Sequence, residues 1–123
     1  YGLIQHPEKG WILFDTGYGP EFYKATHSFP NSLYAAATKV NIGPDETVAS
    51  QLLRHQIGPE DIEHIIVSHF HADHIGGLKD FPNAKFYCSK IAHQEVGDVG
   101  RFLAVRKGIL PALIPDDFDA RAK

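Results

Sequence analysis

The amino-acid sequence predicts an α/β fold, and three observations carry the prediction. Short apolar runs with strand character recur along the chain, a segment of helical period lies between two of them, and a histidine-rich cluster follows the most apolar run directly. Strand, helix, strand, helix in that order is the pattern of a layered α/β architecture.

The elements follow in order. Leu3-Ile4-Gln5 and Trp11-Ile12-Leu13-Phe14 are apolar runs separated by a Pro- and Gly-containing stretch, His6 to Gly10, and read as a hairpin. The second run ends in Asp15-Thr16-Gly17, where Gly17 allows a sharp turn. Tyr18 to Pro44 is irregular and aromatic-rich, a connection long enough to be functional or mobile, with its aromatic residues expected mainly to pack. Asp45 is expected to cap a helix over Glu46 to Gln56, with Val48, Leu52 and Leu53 on one face and Gly58-Pro59 ending it. Ile62 to Ser68 contains Ile65-Ile66-Val67, a short buried strand. Gly76-Gly77 breaks the chain, and Asp80-Phe81-Pro82-Asn83 turns it. Ala84 to Cys88 is strand-like, Ser89 is placed to cap a helix reaching about Val96, and Gly97 to Lys123 reads as helix and loop.

Composition narrows the function classes. The 123 residues are one domain at most, 43% hydrophobic and 22% charged, with a net charge of −3. No basic stretch suits nucleic acid, and the longest apolar runs are far too short to span a bilayer. A single cysteine, Cys88, excludes an internal disulfide framework and fits a reducing compartment, so a cytoplasmic location is expected. The chain opens at Tyr1 with no signal-peptide pattern and contains no Met, which gives the expectation of a partial domain over residues 1–123.

The chemistry lies in Ser68-His69-Phe70-His71-Ala72-Asp73-His74-Ile75-Gly76-Gly77. Imidazole nitrogen and carboxylate oxygen suit Zn²⁺, with Fe²⁺ or Mn²⁺ as alternatives. In extended backbone, residues two apart point the same way, so His69 and His71 can grip one cation together. The chain then turns, and Asp73 and His74 can face a second. Four ligands within six residues leave little backbone entropy to lose on binding. The remaining histidines, His6, His27, His55, His64 and His93, lack ligand spacing and read as ordinary polar positions, and Cys88 as a small buried residue.

This cluster, with Asp15-Thr16-Gly17 upstream after an apolar strand, resembles the metallo-β-lactamase superfamily over most of the chain, from about Gly10 to Cys88. The wording around Phe14 to Gly19 and Ile62 to His69, with Ile109-Leu110-Pro111 later, is similar to its N-acyl homoserine lactonase-like branch. The resemblance implies an αββα sandwich of which this chain supplies the N-terminal half, a mixed sheet with flanking helices. It implies two Zn²⁺ ions per complete site, His69 and His71 at one and Asp73 and His74 at the other. Asp15 would then hold the ligand loop by hydrogen bonds without touching metal. The implied activity is hydrolysis of an ester or lactone by a water activated between the metals, Asp73 passing its proton to the leaving alkoxide. An N-acyl homoserine lactone is one such substrate, and a phosphodiester or thioester is the alternative. After Cys88 the sequence offers only His93, with Glu95, Asp98, Asp116, Asp117 and Asp119 as carboxylates and no recognisable second cluster, so it departs from the family pattern in the further histidines and the bridging carboxylate. The rival reading is therefore a non-catalytic metal-binding half-domain. A lone half-sandwich would expose a sheet face, so a homodimer covering it is expected.

Overall fold

A computed structural model describes residues 1–98 and 100–123. Residue 99 and the side chains of Asp98 and Arg101 lie outside the described residues. The elements run β1 (Gly2–His6), β2 (Gly10–Phe14), α1 (Glu21–Ala25), α2 (Ser32–Ala37), α3 (Val48–Leu53), β3 (Ile62–Val67), α4 (Ala72–Ile75), β4 (Lys85–Cys88), α5 (Lys90–Asp98), α6 (Arg101–Arg106) and α7 (Phe118–Arg121). The result is the expected α/β architecture, a mixed four-stranded sheet in the order β1-β2-β3-β4 with flanking helices.

The hairpin forms as the Pro-Gly stretch dictates. β1 and β2 pair antiparallel from Gly2↔Phe14 to His6↔Gly10, and His6 Nδ1 accepts the backbone N–H of Glu8 and of Lys9, each at 3.1 Å, to brace the turn. Gly10 has φ 69°, a conformation that glycine reaches without a Cβ penalty. β3 then runs parallel to β2, and β4 parallel to β3.

Register decides which side of the sheet is covered. Leu3, Leu13, Ile65 and Phe86 lie in one row across all four strands, and the last three are fully buried together with Phe22, Leu52, Leu78 and Phe118. Each such side chain contributes about 1.5–3 kcal/mol through burial. Phe86 stacks on Phe118 of α7 with ring centroids 4.7 Å apart. The opposite face carries Phe14, Ile66 and Tyr87 in one row and Ile4, Ile12 and His64 in the next. There Ile4 is 45% exposed and Phe14 41%, so this face is apolar and open.

Several sequence expectations are corrected. The segment from Tyr18 to Pro44 is not irregular throughout, because it holds α1 and α2, whose apolar residues Phe22, Ala25, Tyr34 and Ala35 pack on the core. Thr47, not Asp45, caps α3: its backbone is extended and its Oγ1 accepts the Ser50 N–H at 3.1 Å. Asp45 falls instead in the turn that Glu46 closes by accepting the Gly43 N–H. Val48 and Leu52 are buried, but Leu53, about 100° further around the helix, is 56% exposed. The helix closes before Gly58-Pro59. Gln56 takes φ 61°, and the Ile57 and Gln56 N–H groups donate to the Leu52 and Leu53 carbonyls, which is the Schellman arrangement with glutamine where glycine is usual.

Candidate metal centre

The sequence places its ligand cluster where β3 ends, and local rules then dispose the side chains. Phe70 is 3% exposed and sinks into the core, so in the extended stretch 69–71 the neighbours on either side turn outward together. His71 has the extended backbone of a helix N-cap, and its carbonyl accepts the His74 and Ile75 N–H groups that start α4. Ala72 and Ile75 are fully buried, leaving Asp73 and His74 to face out of that single turn. The His69 ring centroid stands 4.6 Å from that of His71 and 3.8 Å from that of His74. His74 Nε2 lies 3.4 Å from Asp73 Oδ2. All four cluster residues are therefore gathered at one end of the sheet.

Asp15 stands beneath them at the end of β2. It is a non-glycine residue with φ 56°, a strained conformation that Asp tolerates better than most residues. The strain aims its carboxylate at the ligand loop. Oδ1 accepts the Ser68 N–H at 2.8 Å, while Oδ2 accepts the Ser68 hydroxyl at 2.7 Å and the His74 Nδ1–H at 2.8 Å. Burial pushes this carboxyl up, but the hydrogen bonds from His74 and Ser68 outweigh it, and its pKa lies below the usual value. For His69, burial and then the neighbouring His74 and His71 lower the pKa, with Asp15 and Asp73 opposing. A lowered value keeps the imidazole neutral, the form that can ligate a metal.

Sequence reasoning missed several supports. Thr16 is fully buried, and its Oγ1 donates to the His74 carbonyl at 3.0 Å and accepts the Gly77 N–H at 3.1 Å, clamping both ends of the turn. Its place inside Asp15-Thr16-Gly17 was the available signal. Gly76 packs backbone to backbone on this loop: a Cβ there would stand 2.7 Å from the Gly17 oxygen and 2.9 Å from the Tyr18 Cα. From the other side, Gly108 O accepts the Ala72 N–H at 3.0 Å. Tyr18 and Tyr34 join by their hydroxyls at 3.0 Å over Phe22, forming an aromatic wall beside the cluster. His93, distant in sequence from the cluster, packs against Phe70 and Phe118 and pairs with Asp119 at 3.1 Å. Half-buried Cys88 has a thiol pKa raised by that burial.

The donor set fits a divalent cation in kind. Two donors at about 2.0–2.1 Å on one tetrahedral Zn²⁺ stand roughly 3.3 Å apart, close to the 3.4 Å between His74 Nε2 and Asp73 Oδ2. Because His74 gives its Nδ1 proton to Asp15, Nε2 is the free lone pair. Among the described residues, however, no group of three or more His, Cys, Asp or Glu side chains is placed to hold an ion by itself. The fit is to part of a coordination shell.

The sequence profile of the metallo-beta-lactamase superfamily matches residues 1–119. The chain belongs to that superfamily. It is similar to a probable metallo-hydrolase of Mycobacterium tuberculosis, 31% identical over 85 residues, covering 69% of this chain and 27% of the relative. It is also similar to the N-acyl homoserine lactonase AiiB of Rhizobium rhizogenes, 28% identical over 111 residues, covering 85% of this chain and 37% of that one. The chain thus spans roughly a third of the length of these curated relatives. Among solved structures, a mutant of B. thuringiensis AiiA with N-decanoyl-L-homoserine bound superposes with a TM-score of 0.70 at 22% identity, covering 98% of this chain and 44% of that one. The dizinc quorum-quenching lactonase AidC, with N-hexanoyl-homoserine, gives 0.66 at 25% identity, covering 98% and 40%. The mixed sheet with flanking helices is therefore the metallo-β-lactamase α/β fold.

Proposed function

We propose that this chain supplies one ligand cluster of a metal-dependent hydrolase acting on a lactone or ester, an N-acyl homoserine lactone being the substrate class its relatives favour. The observation that carries the reading is the gathering of three imidazoles and a carboxylate at the end of β3 over the Asp15 carboxylate. In this reading two Zn²⁺ ions are held, His69 and His71 serving one and Asp73 and His74 the other, with Fe²⁺ or Mn²⁺ as substitutes. Divalent metal bound there supplies Lewis-acid polarisation of a carbonyl and water of lowered pKa.

The chain's own residues have separate tasks. Asp15 orients His74 and braces Ser68, so the cluster is aimed before any ligand arrives. Asp73 is exposed, and its carboxylate oxygen not turned to His74 Nε2 takes the proton given up by the attacking water and passes it to the leaving alkoxide as the lactone ring opens. The Tyr18–Tyr34 wall limits water on one side. The open apolar sheet face is covered by a second copy of the chain.

The test is hydrolysis of N-hexanoyl-L-homoserine lactone, followed by proton release, with zinc and after chelation. The reading expects turnover that requires zinc and stops with chelator. With only part of a shell in place, the rate should fall well below the roughly 1–10³ s⁻¹ of ordinary enzymes. Turnover that ignores the chelator would contradict it. The absence of a three-donor group among the described residues favours a rival, a metal-binding module without catalysis. Zinc bound with no turnover above background would favour that rival.

A further inference from the structure

Beside Asp15, one side chain touches both the buried carboxylate and a cluster histidine. The Ser68 Oγ lies 2.7 Å from Asp15 Oδ2 and 2.9 Å from His69 Nδ1. A serine hydroxyl has one proton to give, and an ionised carboxylate can only accept. The Ser68 proton therefore goes to Asp15, since the reverse arrangement would set two lone pairs against each other at 2.7 Å. With its proton committed, Ser68 Oγ can only accept at its second contact. That contact makes His69 Nδ1 the donor, carrying its proton there. His74 also lies near Ser68 Oγ, but at 3.3 Å, and its shorter 2.8 Å contact sends its Nδ1 proton straight to Asp15.

We propose that Ser68 is a positioning residue that relays the Asp15 carboxylate to His69, holding the imidazole proton on Nδ1 and presenting Nε2 as the metal-binding lone pair. One buried carboxylate thereby sets the tautomer of two histidines, His74 directly and His69 through the hydroxyl. A neutral imidazole offers a metal one nitrogen only, and the hydrogen bond made by the other decides which. The chain has a built-in control: among the described residues His71 makes no ring hydrogen bond to Ser68 or Asp15. The functional consequence rests on the hydrolase reading, whereas the relay itself does not require metal.

The test uses the full chain, labelled with ¹⁵N and free of metal, and reads histidine tautomers from long-range ¹H–¹⁵N correlations in the parent, Ser68→Ala and Ser68→Thr. Zinc affinity is measured on the same samples by chelator competition. The parent and Ser68→Thr should hold His69 as the Nδ1–H tautomer. Ser68→Ala should shift His69 toward Nε2–H while His71 and His74 stay as they were. Zinc affinity should fall about 10-fold in Ser68→Ala and recover in Ser68→Thr. Ser68 is exposed, so alanine should fold. If it does not, Ser68→Cys, whose thiol is a weak donor, makes the same comparison. An Nε2–H tautomer at His69 in the parent, or one unchanged in Ser68→Ala, would overturn the relay. A tautomer that shifts with no loss of zinc affinity would overturn its role toward metal. A parent that takes up no zinc while the tautomer still responds would contradict the hydrolase reading and leave the relay standing.

Discussion

At the scale of single residues, Asp15 does the most with the fewest atoms. Its two oxygens take three donors from Ser68 and His74 while its own backbone is strained. Replacing it with Asn keeps the size but sets an amide donor among donors, so Asp15→Asn should weaken zinc binding about 10-fold without removing a ligand. A titration identical to the parent's would reduce Asp15 to a turn former. The same residue carries a pH dependence. Its folded pKa is depressed, so the unfolded chain takes up the proton first as pH falls. The stabilisation is full above the ordinary value of about 3.9 and disappears as pH drops through the folded one. Metal-free parent should therefore lose stability on acidification more steeply than Asp15→Asn, read from urea unfolding at stepped pH. Parallel acid limbs would contradict this. Asp15 and the four cluster residues were legible because carboxylates and imidazoles announce themselves by type and spacing. Ser68 and Thr16 were not, because a hydroxyl next to a ligand has no pattern until the fold gives it partners.

At the scale of elements, strands were legible and short helices were not. The hairpin and the strands at Ile62–Val67 and Lys85–Cys88 follow from apolar runs bounded by turn residues. Five- and six-residue helices such as α1 and α2 are too brief to establish a period, and packing rather than propensity holds them. The cap of α3 falls two residues later than expected because Asp45 and Thr47 are both good caps, and Thr47 has the extended backbone at the helix start while Asp45 lies in a turn. The Gly76-Gly77 pair reads as a simple break in sequence, yet its function is close approach. A methyl at Gly76 would press on the backbone of Gly17, Tyr18 and Gly19 within 2.7–3.0 Å. Gly76→Ala should cost about 1–3 kcal/mol in chemical denaturation, because backbone cannot step aside as a side chain can. Unchanged stability would show that the loop after β2 is loosely held.

At the scale of the molecule, the two faces of the sheet differ sharply. One is sealed by Leu13, Ile65 and Phe86 under the helices, and the other leaves Ile4, Phe14 and Tyr87 in the open. The half-sandwich that the family resemblance implies made an open face foreseeable, and unbroken apolar runs such as Trp11 to Phe14 and Ile65 to Val67 put apolar residues on both faces. An open apolar face favours self-association. Sedimentation velocity should find the parent's mass rising with concentration and Phe14→Lys shifted toward monomer. A parent that stays monomeric at every concentration would rule out a second copy on that face. Among the described residues no helix is long and apolar enough to cross a membrane. A metal centre at the end of β3 shows itself in zinc content, measured by atomic spectroscopy in the parent and in His69→Ala/His71→Ala. The parent should retain zinc through dialysis, and the double variant, left with Asp73 and His74 alone, at most half as much, with the same far-ultraviolet circular dichroism. Equal zinc in both would contradict a metal centre there.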